Sequence, residues 1–386
     1  MRVAVVMPAG CRMDAHRFNS MEAVATALNL ESRFRAETVV ICDEGAETPV
    51  AARMLTVPAG LGRSARLEAV ADRLRQFAPD IVEYHQQLKE SAKLARAVPG
   101  PINVLYRHTR IKPPRNPIER FRYRQRLAAF DHLLFVSKAA CAEFRADYPR
   151  FDASVSAVCN PVDVKAWSAP VTERERLILF VGRALPEKGM DSFCEALATV
   201  LERRPDWRGA LVLGEYERHE AWAAPHLQQL DRFGDRVEVH RSAPLSEVIA
   251  VTQRAAIAVT PSRVAEALGL TALEAHAAGA ALVSSGRGGL REASGPNALF
   301  VDPPEASGLT EAIDRLVSDG SLRERMARAA RKQVAATGTP AARAQQLDDL
   351  RLGLVSGHRW TEARSDRRTR FLTSSTKDIQ WADARS

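Results

Sequence analysis

The chain has 386 residues, 46% of them hydrophobic, which is enough for two domains that each bury a core. Its 55 lysines and arginines exceed its 47 acidic residues, giving a formal net charge of +8. No apolar run approaches the ~18 residues of a membrane-spanning helix, and the five cysteines form no Cys-x-x-Cys pair, which argues against membrane helices and metal or disulfide scaffolds. The apolar run after Met1 ends at Pro8, too short for a secretory signal, so we expect a cytoplasmic protein with reduced cysteines.

The first 165 residues alternate short apolar runs with helical stretches. We predict these strands: Val3–Met7, Thr38–Ile41, Met54–Val57, Asp80–Tyr84, Ile102–Tyr106 and His132–Val136. We predict these helices between them: Phe18–Leu30, Ser64–Gln76 and Lys89–Ala97. Strands that alternate with helices imply a parallel sheet, so residues 1–165 are expected to form a Rossmann-like domain.

The segment 107–126 is strongly basic, because eight lysines and arginines face a single acid, Glu119. The part from Glu119 to Phe130 is predicted to be a helix with aromatic spots. Such a helix is suited to an anionic membrane surface or an anionic acceptor, although a solvated basic surface explains the charge equally well. No nucleic-acid-binding module accompanies the charge, so nucleic acid is not an expected partner.

A polar linker at 166–176 leads to a second predicted Rossmann-like domain at 177–338. After a first strand at Leu177, the predicted strands are Leu211–Gly214, Val237–His240, Ile257–Thr260 and Ala281–Ser284. No G-x-G-x-x-G follows any of them, which argues against a dinucleotide-dependent oxidoreductase. Three residues follow the first strand and suit a phosphate ligand: Gly182 lets it approach the backbone, and Arg183 and Lys188 add two cations.

Glu266 and Glu274 lie eight residues apart around the start of a helix predicted at 270–278. The first N–H groups of that helix have no acceptor within it, and the helix dipole favours an anion at this end. A diphosphate is therefore the expected ligand of these residues: Gly269, Leu270 and Thr271. From that point Glu274 reaches a ribose hydroxyl, and Glu266 projects toward whatever the phosphate carries. An isolated Glu-x7-Glu spacing is more often two solvated glutamates.

The last part of the chain is rich in helix-forming residues, at 309–335 and again at 339–352. Beyond them we expect a basic, poorly ordered tail at 353–386, since charge and hydroxyl side chains dominate and apolar periodicity is weak. The tail is a second candidate for contact with an anionic membrane.

These motifs together resemble one known family. The run Glu-x-x-Gly-Leu-x-x-x-Glu-Ala at 266–275, a following strand, the pair Gly288-Gly289 and then Glu292 are similar to the retaining glycosyltransferases of family 4, also called group 1. The loop at 182–188, about eighty residues upstream, has the matching arginine and lysine. The resemblance implies the GT-B fold, in which two Rossmann-like domains face each other across a cleft and the C-terminal helix, here 339–352, crosses back to the first domain.

The resemblance also implies roles for single residues. Arg183 and Lys188 would neutralise the diphosphate of the donor, Glu274 would bind its ribose, and Glu266 would face the transferred sugar. His108, at a strand end that points into the cleft, would contact the donor sugar or the reacting phosphate, so Glu266 and His108 are the expected catalytic residues. His85 is similarly placed and is a weaker candidate.

On the acceptor side the chain departs from the family. The first loop has a single glycine where two adjacent ones are common, and we assign Gly10 and Arg12 to the acceptor. The loop at 241–243 is where the resemblance places the nucleotide base.

The expected activity is the retaining transfer of a hexose-type sugar from a nucleotide-diphosphate sugar to a lipid-linked or cell-surface polysaccharide, such as lipopolysaccharide or exopolysaccharide. No Asp-x-Asp signature occurs at either phosphate site, so no metal or other cofactor is expected. Work on such an acceptor implies a position at the inner face of the plasma membrane. Two alternatives remain: a sugar-nucleotide epimerase or a phosphorylase on the same fold, and a non-catalytic protein that binds sugar nucleotides.

Overall fold

The computed structural model describes residues 1–14, 19–50, 53–149, 151, 154–170 and 174–359. Two parallel sheets organise these residues, a seven-stranded sheet in the first half of the chain and a six-stranded sheet in the second. The prediction of two α/β domains with parallel sheets is therefore confirmed.

The first sheet has these strands: β1 (Val3–Val6), β2 (Thr38–Asp43), β3 (Met54–Val57), β4 (Ile81–His85), β5 (Ile102–Arg107), β6 (His132–Phe135) and β7 (Ser154–Ala157). Their order is β3-β2-β1-β4-β5-β6-β7, and each neighbouring pair is parallel. The central strands are almost wholly buried and rich in β-branched residues, as expected when helices cover both faces of a sheet. β7 was not predicted, because its four residues are small, partly exposed and carry two serines.

The helices associated with this sheet are α1 (Ser20–Glu31), α2 (Arg63–Phe77), α3 (Leu88–Ala97), α4 (Pro117–Leu127) and α5 (Lys138–Asp147). α1 begins with a capping box, in which the Asn19 side chain accepts from the Glu22 N–H at 3.0 Å and Glu22 Oε2 accepts from the Asn19 N–H at 3.2 Å. Phe18, where this helix was predicted to begin, lies outside the described residues.

The second sheet has these strands: β8 (Glu175–Arg183), β9 (Arg208–Gly214), β10 (Val237–Arg241), β11 (Ala255–Thr260), β12 (Ala281–Ser284) and β13 (Ala298–Phe300). Their order is β10-β9-β8-β11-β12-β13. The predicted linker at 166–176 overlaps this domain, since β8 already begins at Glu175. β13 was not predicted, because three residues leave no measurable alternation.

The helices from the linker onward are α6 (Val164–Trp167), α7 (Met190–Arg203), α8 (Tyr216–Gln228), α9 (Leu245–Arg254), α10 (Leu270–Ala278), α11 (Leu290–Ser294), α12 (Ala306–Ser318), α13 (Gly320–Thr337) and α14 (Pro340–Arg359). The helical stretch predicted at 309–335 is two helices. The Asp319 side chain caps the second of them by accepting from the Leu322 N–H at 2.8 Å.

The C-terminal helix α14 returns to the first domain and packs against α1, as predicted. Its Arg351 is 1% exposed and holds both carboxylate oxygens of Glu83 on β4, each at 2.7 Å. Asp348 completes the contact, because it accepts from Arg351 at 2.9 Å and from Ser32 Oγ at 2.7 Å. A buried ion network therefore holds α14 against the first sheet.

The boundary predicted for the tail was wrong, because α14 continues through residues 353–359, which we had assigned to the tail. The rest of the predicted tail, from residue 360, lies outside the described residues. Within the part of the chain that the structure describes, no helix combines the length and apolar character needed to cross a membrane.

Candidate active site

A cavity of about 450 Å³ is lined by residues of both domains. The structure brings nine of the eleven predicted site residues together in its wall: His108, Gly182, Arg183, Lys188, Glu266, Gly269, Leu270, Thr271 and Glu274. In the second domain they come from the carboxyl ends of β8 and β11 and from the start of α10, where ligands of parallel α/β sheets bind. The two sequence motifs, about eighty residues apart, therefore form one site.

The loop that carries Glu266 lies directly on the glycine pair. Gly289 donates its N–H to the Glu266 carbonyl at 2.8 Å, and Gly288 forms a parallel bridge with Glu266. A Cβ on Gly289 would stand 2.2 Å from the carbonyl oxygen of Ala267, and one on Gly288 would stand 2.6 Å from that of Glu266. Gly288 also has a φ of +61°. Both glycines are therefore required for this close approach.

Lys188 and Glu266 form an ion pair in the cavity, with 2.5 Å between Nζ and Oε1. Ser262 Oγ donates to the same Oε1 at 2.7 Å. The sequence had assigned these two charges to different parts of the ligand, and it did not predict that they touch. No described residue donates to Glu266 Oε2, which leaves one carboxylate oxygen available to a ligand hydroxyl while the other positions Lys188.

The loop that carries Lys188 packs against the residues that follow β11. Gly189 has a φ of +71°, and a Cβ there would stand 2.1 Å from the carbonyl oxygen of Pro261. Arg263 donates its N–H to the Glu187 carbonyl at 2.8 Å. Arg183, at the end of β8, is exposed, and within the described residues nothing pairs with its guanidinium. It is thus a free cation at the rim of the cavity.

The start of α10 has the geometry of an anion site. Gly269 precedes it with a φ of +102°, and no side chain caps the helix. The N–H groups of its first residues have no acceptor within the helix, and the positive end of the dipole lies at the cavity. A Cβ on Gly269 would stand 2.5 Å from Leu290 Cδ1, so this turn also depends on glycine.

Glu274 is partly buried one turn inside α10 and lines the cavity. Burial raises the pKa of its carboxyl to about 7, and no described residue donates to it or pairs with it. A carboxylate held without a partner in a cavity wall is available to a ligand hydroxyl.

His108 approaches the cavity from the first domain. Its Nε2 lies 2.9 Å from Nδ1 of His85, and its ring stacks on Tyr106 with 4.7 Å between centroids. Burial lowers the pKa of His85 to about 3 and that of His108 well below its usual value, so both rings are neutral at pH 7. His108 can therefore act in the cleft as a neutral hydrogen-bonding group.

Gly10 and Arg12 do not line the cavity. Gly10, with a φ of +87°, donates its N–H to Asp43 Oδ2 at 2.7 Å. The Arg12 side chain packs against Gly45. Residues 15–18 of the same loop lie outside the described residues, and the acceptor role of Gly10 and Arg12 stays a prediction.

Three contacts between the domains were not predicted. Ser137 Oγ, which caps α5, donates to the Ala267 carbonyl at 2.6 Å. Glu292 Oε2 accepts from the Lys138 N–H at the start of α5 at 2.8 Å, and Glu292 Oε1 accepts from the Cys159 thiol at 3.0 Å. The sequence showed Glu292 as part of a motif, but only the fold shows that it faces the other domain.

The basic segment 107–126 is not basic over its whole surface. Arg107 is turned inward, donating to the Gln86 carbonyl, and Arg110 is paired with Glu143 at 2.6 Å. Besides Arg110, the exposed basic residues are Lys112, Arg115, Arg120 and Arg122. Beside them on α4, Ile118 is 65% and Phe121 54% exposed, which makes a basic surface with apolar side chains at 112–122.

In the described residues, no group of three or more histidine, cysteine, aspartate or glutamate side chains is arranged to hold a metal ion. The absence of a metal requirement stays a prediction.

Two protein-family models match the chain. The one described as Glycosyl transferases group 1 matches residues 163–333, and the one described as Glycosyltransferase Family 4 matches residues 27–166. The D-inositol 3-phosphate glycosyltransferase of Corynebacterium diphtheriae is 31% identical over 180 residues, which are 45% of this chain and 42% of that relative. The chain thus matches less than half of that relative's length.

Among solved structures, a glycosyltransferase from Rickettsia africae has a TM-score of 0.75 at 15% identity, covering 92% of this chain and 98% of its own. HepE from Anabaena, in complex with UDP-glucose, has a TM-score of 0.70 at 15% identity, covering 92% of this chain and all of its own. These likenesses establish the GT-B arrangement of the two domains.

Proposed function

Because the chain belongs to the group 1 glycosyltransferases, we propose that it transfers a hexose-type sugar from a nucleotide-diphosphate sugar, with retention of the anomeric configuration. The observation that carries the proposal is the cavity wall, where two cations, an uncapped helix start and two carboxylates face the same space. The nucleotide and the sugar remain part of the proposal; UDP-glucose, bound by HepE, is the first donor to test.

The proposed roles follow from the charge that develops in the reaction. Breaking the bond between the anomeric carbon and the diphosphate leaves negative charge on the phosphates and positive character on the sugar. Arg183, Lys188 and the start of α10 would stabilise the leaving diphosphate. Glu274 would hold the ribose, and Glu266 Oε2 would accept from a hydroxyl of the transferred sugar. His108 would contact that sugar or the reacting phosphate.

In a retaining transfer of this kind, the departing phosphate would take the proton of the acceptor hydroxyl as the new glycosidic bond forms. Closure of the two domains would exclude water from the cavity. No metal is needed in this scheme, because the cationic side chains and the helix start neutralise the diphosphate.

Donor binding is tested by the variants Lys188→Ala and Glu274→Ala, assayed with EDTA present. We expect Lys188→Ala to lower kcat/KM about 100-fold, since one preorganised donor to developing charge is worth on the order of 3 kcal/mol. Glu274→Ala should raise the Kd of the donor. Lys165→Ala and Glu195→Ala remove exposed charges away from the cavity and serve as controls. Near-normal turnover of both site variants would contradict the proposed roles. Loss of transfer by the wild type when EDTA is added would contradict them as well.

The proposed acceptor is a lipid-linked or cell-surface polysaccharide, reached at the inner face of the plasma membrane. The support is the basic surface at 112–122, where exposed Ile118 and Phe121 stand among cations. Each basic residue close to an anionic bilayer is worth about 1 kcal/mol, and the apolar side chains would enter the interface.

Sedimentation with phosphatidylserine-containing vesicles across a salt series tests this surface. We expect binding at low salt that weakens as salt rises, and a several-fold loss of binding in Ile118→Ser/Phe121→Ser. Leu245→Ser changes a comparably exposed leucine of the second domain and should bind as the wild type does. Absence of sedimentation even at low salt would remove the membrane from the proposal.

A second acceptor class is a phosphorylated polyol, since the Corynebacterium relative is a D-inositol 3-phosphate glycosyltransferase. Assaying the same donor with D-inositol 3-phosphate and with a lipid-linked glycan separates the two classes. Release of a free epimerised sugar without an acceptor, or a requirement for inorganic phosphate, would instead favour an epimerase or a phosphorylase. Donor binding without turnover would indicate a sugar-nucleotide sensor.

A further inference from the structure

The segment 158–162 joins the two domains beside the cavity and is fixed at several points. Val158 donates its N–H to the first sheet at 3.0 Å, and Val162 donates its N–H to the carbonyl that follows α13 at 2.9 Å. Between them, the Cys159 thiol donates to the carboxylate of α11 at 3.0 Å. The position of the next residue, Asn160, is therefore set by contacts with both domains.

Asn160 is 7% exposed and lines the cavity. Its side-chain oxygen is buried, and no residue in the described part of the chain donates a hydrogen bond to it. Buried polar atoms of folded proteins almost always have a partner, so an orphaned amide oxygen in a cavity wall indicates that the partner is a ligand.

The chemistry of the amide oxygen limits what that ligand group is. A carbonyl oxygen only accepts hydrogen bonds, whereas the phosphates of a sugar nucleotide carry no proton at neutral pH and also only accept. Val136 and Leu268, which line the same cavity, are apolar and offer no side-chain donor. The donors of a sugar nucleotide are its hydroxyls and the N–H groups of its base. Since the base is expected at the loop 241–243, the partner of Asn160 is a hydroxyl. The ribose hydroxyls are already assigned to Glu274, which leaves those of the transferred sugar.

We propose that Asn160 binds the transferred sugar, its side-chain oxygen accepting a hydrogen bond from a sugar hydroxyl. The inference rests on the proposed function and adds a sugar-binding residue that is part of the connection between the domains. Glu266 would contact the same sugar from the second domain, so the sugar would be held from both sides when the cleft closes.

The test compares binding of a sugar nucleotide and of the matching free nucleotide by calorimetry, using UDP-glucose with UDP, GDP-mannose with GDP, and ADP-glucose with ADP. For the pair that the wild type binds, we expect Asn160→Ala to raise the Kd of the sugar nucleotide roughly tenfold. The Kd of the free nucleotide should rise less than about twofold. The melting temperature without ligand should be unchanged, because the variant breaks no hydrogen bond of that oxygen. Cys159→Ala, which loosens the same segment but keeps the amide, should preserve the wild-type ratio of the two affinities.

The possible outcomes separate the inference from the proposed function. If the wild type binds none of the three sugar nucleotides, the proposed function fails and the role of Asn160 with it. If the wild type binds one and Asn160→Ala binds both members of that pair as well as the wild type does, Asn160 does not contact the sugar. Equal weakening of both ligands together with a lower melting temperature would make Asn160 a structural residue of the connection and would also overturn the inference.

Discussion

The carboxylate of Glu274 is a hydrogen-bond acceptor in the wall of the cavity. Burying its charge there lowers the stability of the folded protein. Burial raises the pKa of its carboxyl from 4.5 to about 7. The unfolded chain therefore releases this proton at lower pH than the folded protein does, so stability falls as pH rises from 4.5 through 7. A carboxylate kept under such a penalty is typical of a binding residue.

Glu274→Gln tests this role through pH. For the wild type we expect the Kd of the donor to be about tenfold higher at pH 6 than at pH 8, because only the ionised carboxylate accepts from both ribose hydroxyls. The variant should show a flat profile. Without donor, it should melt at a higher temperature than the wild type at pH 8 and at the same temperature at pH 5. An equally steep profile in the variant would show that another group is responsible.

At the scale of elements, the loop at 266–268 has its shape because the glycine pair at 288–289 lets it lie directly on the start of α11. The position of Glu266, and through it that of Lys188, depends on this backbone contact.

Gly289→Ala should disturb the cavity without unfolding the domain. The new Cβ would stand 2.2 Å from the Ala267 carbonyl, so the Glu266 loop must move, and we expect at least a tenfold loss of kcat/KM with 1–3 kcal/mol of destabilisation. Gly353→Ala is the control, because that position in α14 has open space around it and alanine favours a helix by up to about 1 kcal/mol. Wild-type kinetics for Gly289→Ala would mean that the loop accommodates the methyl group.

The elements were predictable where a local signal existed. The helix at 270–278 has the predicted bounds, because Gly279 ends it in the left-handed conformation, with a φ of +89°. β7 and β13 lack such a signal, since their neighbours in the sheet supply most of their stability.

The candidate site was likewise predictable where a local motif existed and not where a contact depends on packing. Lys188 and Glu266 were each found from a motif, but their contact spans 78 positions and depends on packing. The sequence does not single out Asn160, because nothing local indicates which way its amide points.

At the scale of the molecule, Glu292 connects the two domains through hydrogen bonds. It accepts from the first turn of α5 and from the Cys159 thiol, while its own helix begins at the glycine pair. The relative position of the domains is thus coupled to the loop that carries Glu266.

Glu292→Gln should loosen the domains while preserving each fold. A hydrogen bond to a charged acceptor contributes about 1.5–3 kcal/mol, and the amide replaces it with a weaker, neutral one. We expect faster hydrogen exchange of the Lys138 amide and a lower kcat, with each domain still unfolding cooperatively. Glu311→Gln, on the exposed face of α12, should change neither the hydrogen exchange at Lys138 nor kcat. Unchanged exchange at Lys138 would show that Glu292 does not hold the domains.

The ion pair between Arg351 and Glu83 also bears on the time at which the protein becomes stable during synthesis. Glu83 lies inside a sheet made from the first part of the chain, but the cation that neutralises it arrives 268 residues later. Until then Glu83 lacks this counter-charge, and in the folded protein the loss of one partner of a buried pair costs about 3–5 kcal/mol. The first domain, although it is made first, reaches its full stability only when α14 has left the ribosome.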